Sequence, residues 1–156
     1  MEGLGSGVSR LDAGDARSVE RHAGQCRLRA MRMPSPAAVV FAADVARVAA
    51  FYRTVFRMRH LEGDATYVVL ERDGFQLTVH GLRGESTASG ATREDTYVKL
   101  CFPVDSIDYV RREATALGGE VWPAEREWES ETRGFRACDG RDPEGNVFQA
   151  REPLAG

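Results

Sequence analysis

One order of local patterns occurs twice in this chain. Ala37 to Ala42 is a compact apolar run, read as a buried strand. Asp44 then takes an N-cap position, and Val45, Val48, Ala49, Tyr52 and Phe56 recur at helical spacing, which predicts a helix over 45–57. Leu61 to Gly63, Thr66 to Leu70 and Phe75 to His80 read as strands, the last two joined by the hairpin signal Asp73-Gly74. The first half is therefore β-α-β-β-β. Tyr97 to Val104 then reads as a strand and Ser106 as a cap, with Ile107, Val110, Ala114 and Leu117 on one helical face up to Gly118-Gly119. Glu120 to Trp122, Phe135 to Cys138 and Val147 to Arg151 complete the second set, with Trp128 to Glu131 in a charged loop. The step from Ala37 to Lys99 equals that from Asp44 to Ser106, whereas Gln76 to Gln149 is a longer step, taken up by the loop Pro123 to Arg133. Such a duplication restricts the chain to an α+β domain of two like modules.

The run Asp142-Pro-Glu-Gly-Asn-Val-Phe-Gln149 sharpens the second half. Pro fixes φ and Gly or Asn accepts positive φ, so a turn leads into a short strand. Gln149 ends an otherwise apolar segment. Gln76 stands in the matching Phe-Gln pair of the first half, so a site between the halves would hold both amides.

Residues 1–35 carry no sustained apolar period and are expected to form a loose tail, and 36–152 a single domain. Its parts are 37–83, a polar linker over 84–96, and 97–152. One reading starts translation at Met31 or Met33, and N-terminal sequencing of the native protein tests it. Among 156 residues a net charge of −3 argues against a nucleic-acid partner, and no apolar run reaches the length of a membrane span. Cys26, Cys101 and Cys138 are widely spaced with no Cys-x-x-Cys motif, which suits reduced thiols and a cytoplasmic location. No Gly-x-Ser-x-Gly elbow is present, and the Gly-rich spots lack a phosphate-loop lysine.

The segment Val40-Phe-Ala-Ala-Asp44-Val-Ala-Arg-Val-Ala-Ala-Phe51-Tyr52 resembles the first strand and helix of the vicinal oxygen chelate superfamily, the group of glyoxalase I, bleomycin-resistance proteins and extradiol dioxygenases. Val98-Lys-Leu-Cys-Phe-Pro-Val104 with Ser106-Ile107 is similar to the start of its second module, and Asp142–Gln149 to its closing turn and strand. The resemblance spans residues 37–152. It implies paired βαβββ modules whose curved mixed sheets enclose a cleft, and a homodimer. It also implies four metal-ligand positions, one on the first and one on the last strand of each module. Carried over, these are Ala37, Gln76, Lys99 and Gln149. Ala37 has no donor atom, Lys99 repels a divalent ion, and two neutral amides are weak ligands. No metal or other cofactor is therefore expected.

Strand alternation puts Lys99, Cys101 and Pro103 on one face and Leu100, Phe102 and Val104 on the other. The first set is expected toward the cleft, with Lys99 replacing the metal as the positive element. A lysine paired with a nearby carboxylate is the competing reading. His80 shares a strand face with Gln76, and a simple hydrogen-bonded role is favoured for it over a ligand or proton relay. Trp128 is a candidate lid or dimer contact, and Trp122 and Phe135 are read as core. The ligand-binding cleft is thus expected to comprise Gln76, His80, Lys99, Cys101, Trp128 and Gln149. The expected function is metal-independent binding of a small organic ligand. The alternative is a lyase, isomerase or dioxygenase with a metal on Gln76, Gln149 and His80.

Overall fold

The computed structural model describes residues 34–82 and 96–155, all within the unit Pro34–Gly156. All of the expected linker but Thr96, and nearly all of the expected tail, lie outside the described residues. In the first module, strand β1 (Ala37–Ala42) leads into helix α1 (Val45–Val55), and β2 (Arg59–Gly63), β3 (Tyr67–Arg72) and β4 (Phe75–Gly81) follow. The sheet order is β1-β4-β3-β2, with β1 parallel to β4 and the other pairs antiparallel. Asp73 and Gly74 both adopt positive φ (52° and 83°), as a two-residue hairpin turn requires, and Arg72 lies opposite Phe75.

The second module runs β5 (Leu100–Pro103), α2 (Ile107–Ala116), β6 (Glu120–Val121), β7 (Trp128–Ser130), β8 (Phe135–Arg141) and β9 (Val147–Pro153). Its order is β5-β9-β8-β6, with β7 added to β8. Two expectations change here. Residues 97–99 are not strand: Leu100 faces Phe148, the second residue of β9, so residues before Lys99 have no strand beside them, and Tyr97 and Val98 are exposed. Trp128–Ser130 is a strand rather than loop, and its charged sequence is the kind that suits a sheet edge.

Both helices begin as their caps predict. The Asp44 side chain accepts from Arg47 N at 2.9 Å, and Ser106 Oγ from Tyr109 N at 3.2 Å. Helix α1 buries Val45, Val48, Ala49, Phe51, Tyr52 and Val55, a wider sector than one sheet needs. Part of that sector meets the second module. Phe51 and Phe56 pack on Phe148, and Phe56 stacks on Phe102 with ring centroids 4.1 Å apart. Gly119 is required beside them, because a Cβ there would stand 2.5 Å from the Phe51 ring and 2.7 Å from the Arg141 carbonyl oxygen.

The closing turn clasps the modules together. Glu144 accepts from the backbone amides of Ala43 (2.6 Å) and Asp44 (2.7 Å), and Asn146 Nδ2 reaches the Phe41 carbonyl at 3.4 Å. Glu152 does similar work for α2, accepting from Ile107 N at 2.7 Å. Replacing Glu144 with glutamine keeps its shape but turns an NH2 toward one of the two amides. A loss of about 1 kcal/mol in urea unfolding is expected.

Candidate functional site

Each sheet turns one face to the helices and the other outward. On β1 and β4 the inward side chains are Ala38, Val40, Ala42, Leu77 and Val79, which join or pack against the core. The outward ones include Val39, Phe41, Gln76 and His80. Val39 is 55% and Phe41 52% exposed, so the first module presents an apolar outer surface. Phe41 and His80 stand with ring centroids 5.7 Å apart, and His80 Nδ1 lies 2.7 Å from the Gly81 carbonyl oxygen. A hollow of about 600 Å³ is lined by Val39, Phe41, His80 and Leu82. A smaller cavity of about 280 Å³ lies between β1 and the second module, bounded by Val39, Val40, Leu100, Asn146 and Val147 among others.

The outward face of the second module carries a connected polar chain. Lys99 Nζ donates to Asp139 Oδ2 at 2.6 Å. Gln149 Nε2 donates to Asp139 Oδ1 at 2.9 Å. Arg151 Nε donates to Gln149 Oε1 at 2.7 Å, and Arg151 Nη2 lies 3.0 Å from Cys101 Sγ. Gln149 is buried although every residue it bonds is polar, so its amide is held rather than offered to solvent. Beside this chain, Trp128 and Phe135 meet edge to face at 5.6 Å. The guanidinium carbons of Arg133 and Arg151 lie 4.6 and 4.8 Å from the Phe135 ring centroid.

The residues singled out from sequence thus fall into two sets. Gln76 and His80 lie on the first sheet; Lys99, Cys101, Trp128 and Gln149 lie on or beside the second. Among the described residues no hydrogen bond or ring contact joins the sets. The inward and outward alternation of β5 is as read, but the module equivalence is not. Ala37 lies opposite Gln76, and Cys101, not Lys99, lies opposite Gln149. Lys99 instead precedes the strand and reaches Asp139. Trp122 is core, whereas Phe135 leaves the core for the outer face, because β8 alternation places it beside Pro153 and Ser130 at the sheet's end.

Sequence reasoning missed three members of this surface. Asp139 was lost because the strand from Phe135 was read as ending at Cys138, yet it lies directly opposite Gln149. Arg151 stands two residues after Gln149, and period-two alternation alone puts both on one face. Arg133 lies in a segment read as loop, and nothing local signals that it will sit over Phe135.

A family model described as a glyoxalase-like domain matches residues 37–150. No curated protein matches the chain in sequence. Among solved structures, a glyoxalase/bleomycin resistance protein/dioxygenase family enzyme from Burkholderia phytofirmans aligns with a TM-score of 0.58 at 21% identity, over 76% of this chain and 97% of that one. The fosfomycin resistance protein FosX from Listeria monocytogenes aligns at 0.56 and 17% identity, over 80% and 96%. An integron cassette protein from the mobile metagenome of V. cholerae aligns at 0.54 and 19% identity, over 76% and 93%. These likenesses establish a common fold.

Proposed function

This chain belongs to the glyoxalase-like domain family, and on that footing we propose that it binds a small organic molecule without a metal. The observation behind this is the apolar hollow of about 600 Å³ beside Val39, Phe41, His80 and Leu82, with polar groups few and fixed. Its size and lining suit a small-molecule site. The positions the family uses for metal ligands are poorly equipped in this chain. Ala37 has no donor and Gln76 and Gln149 are neutral amides, which leaves the Cys101 thiol as the single strong donor where three or four are needed. The Arg151 guanidinium already lies against Gln149 Oε1 and Cys101 Sγ, so a divalent ion on those two atoms would meet a fixed positive charge. The donor set therefore does not fit a metal.

Two copies of the chain suit the ligand better than one. The apolar outer face of the first module and the polar outer face of the second belong to separate sheets, and a homodimer setting one against the other would enclose the ligand between them. Light scattering behind a sizing column tests this, and a strictly monomeric protein overturns it. A cytoplasmic location is part of this reading, since the cysteines form no Cys-x-x-Cys motif and, among the described residues, Cys101 and Cys138 are in no disulfide. No helix among the described residues is long and apolar enough to cross a membrane.

The test is a thermal-shift and calorimetric screen of organic compounds and of Zn, Ni, Mn and Fe salts, beside elemental analysis of the purified protein. Organic ligands at a hundred times their Kd are expected to add about 2.7 kcal/mol of stability, with metals adding none. Phe41→Asp, at an exposed position, is expected to weaken binding of the best hit at least tenfold (about 1.4 kcal/mol) while leaving the fold intact. A second reading, a metal-dependent lyase, isomerase or dioxygenase, draws on a FosX structure complexed with Mn(II) and on Gln76 and His80 sharing one face. A stoichiometric metal lost in Gln149→Ala would establish it.

A further inference from the structure

Arg151 and Arg133 are the two cations of the second module's outer face without a carboxylate partner among the described residues. Other arginines of this module, Arg111, Arg112, Arg136 and Arg141, are each paired with a glutamate or aspartate. Lys99 is paired with Asp139, whose second oxygen takes the Gln149 amide, and no contact joins that carboxylate to Arg151 among the described residues. Arg151 is instead oriented by neutral groups, Gln149 Oε1 through Nε and Cys101 Sγ through Nη2. Arg133 is held by Ser130 Oγ at 3.0 Å. Both guanidinium groups lie over Phe135, and Arg133 also stands 5.5 Å from the Trp128 ring centroid.

A guanidinium fixed through Nε and one Nη2 hydrogen keeps its remaining N–H groups for a further acceptor. Its planar fork matches a carboxylate, and orientation by neutral partners leaves its charge uncompensated. The exposed flank of Trp128 supplies an aromatic wall next to that charge.

We propose that Arg151, assisted by Arg133, anchors the carboxylate of an organic acid whose flat apolar body lies along Trp128 and Phe135. This rests on the reading of the outer faces as the ligand site and names the ligand's class. The fixed guanidinium takes the role of the positive element that Lys99, tied to Asp139, is not positioned to fill.

The experiment compares 1-naphthoate with its neutral amide, 1-naphthamide, by titration calorimetry on the full chain. Naphthoate is expected to bind at least tenfold more tightly than the amide and to weaken as salt is raised. Arg151→Gln is expected to remove that preference, leaving acid and amide bound alike. Arg151→Lys is expected to restore it only in part, since a lysine keeps the charge and loses the fork. Arg133→Gln is expected to reduce it less, and serves if Arg151 variants do not fold. Equal binding of acid and amide by the unaltered protein overturns the proposal, as does an unchanged preference in Arg151→Gln. Carboxylic acids whose binding is lost in Phe41→Asp but kept at full strength in Arg151→Gln would uphold the general small-molecule reading and overturn this one. Inorganic phosphate displacing naphthoate at equal concentration would also overturn it, by showing a site for any anion.

Discussion

Replacing Asp142 with alanine is expected to cost about 3 kcal/mol of unfolding free energy, although the residue lies in a surface turn. Asp142 is only 2% exposed. Its Oδ1 accepts from the amides of Glu144 and Asn146, each at 2.9 Å, and its Oδ2 from Asn146 Nδ2 at 2.8 Å and Tyr52 Oη at 3.3 Å. Alanine removes every one of these acceptors at once and leaves part-buried donors unpaired. It also frees the turn that carries Glu144 to the start of α1. Urea unfolding checks this, and a loss under about 1 kcal/mol would mean that water replaces the carboxylate without penalty.

The same residue has a pH signature. Burial pushes the Asp142 carboxyl above its ordinary value near 3.8, against the opposing pull of its hydrogen bonds with Asn146 and Glu144. Burial likewise pushes the Tyr52 phenol well up, with the neighbouring Asp142 charge adding to it, so that hydroxyl stays protonated and able to donate. A carboxyl whose pKa is raised in the fold keeps its proton to higher pH than in the unfolded chain. Its contribution is therefore fully present below the unfolded pKa and is lost as pH rises through the folded one. Asp142→Asn removes this titration. As pH rises above the ordinary carboxyl range, the stability of the unaltered protein relative to Asp142→Asn is expected to fall, and parallel profiles would sink the assignment.

Phe56→Ala is expected to cost about 4 kcal/mol, the largest effect of any single truncation considered. Phe56 is fully buried at the end of α1. It stacks on Phe102, meets Phe148 edge to face at 5.0 Å and stacks on Tyr52 at 5.8 Å. Two of those three rings belong to the other module, so the cavity would open at the seam. Phe56→Ala and Phe102→Ala together are expected to cost less than their sum, because each empties part of one contact. Strict additivity in chemical denaturation would show that the stack does not couple the modules. Val39→Ala on the outer face serves as the comparison and should change stability by no more than about 0.5 kcal/mol.

Much of the fold was legible because each element carries its own local cause. Ala37–Ala42 is apolar without interruption, Asp44 and Ser106 cap their helices, and Asp73-Gly74 sets a turn that needs positive φ at two positions. The resemblance to a known superfamily rested on the first strand with its Asp44-capped helix, on Val98–Ile107 and on the Asp142–Gln149 turn, and the family match covers them. Tyr97–Val98 misled because apolar, β-prone residues look alike whether or not a partner strand lies alongside. Trp128–Ser130 misled in the opposite direction, since an edge strand tolerates charge that a central strand would not.

The candidate site was legible only in part. Gln149 announces itself as a polar residue after the apolar Val147-Phe148, and Gln76 as its counterpart in the Phe-Gln pair of the first half. Strand alternation put Cys101 on the outer face, and Arg151 could have been added by the same rule. What alternation cannot supply is register, which depends on how far one strand slides along another. A slide of two residues keeps every side chain on its face yet changes which residue it meets, and that is how Cys101 rather than Lys99 came to stand opposite Gln149.

Sequence by itself determined the order of elements in the two modules, their caps and turns, and which residues β5 turns inward, since these follow from backbone conformation and a period of two or 3.6 residues. Only the tertiary structure decided that Lys99 is bound to Asp139, that Arg151 rests on Gln149 and Cys101, and that Phe135 lies outside with two arginines close to its ring. Those outcomes depend on which distant charge comes within hydrogen-bond reach, and such distances are set by the packing of whole strands rather than by neighbours in the chain.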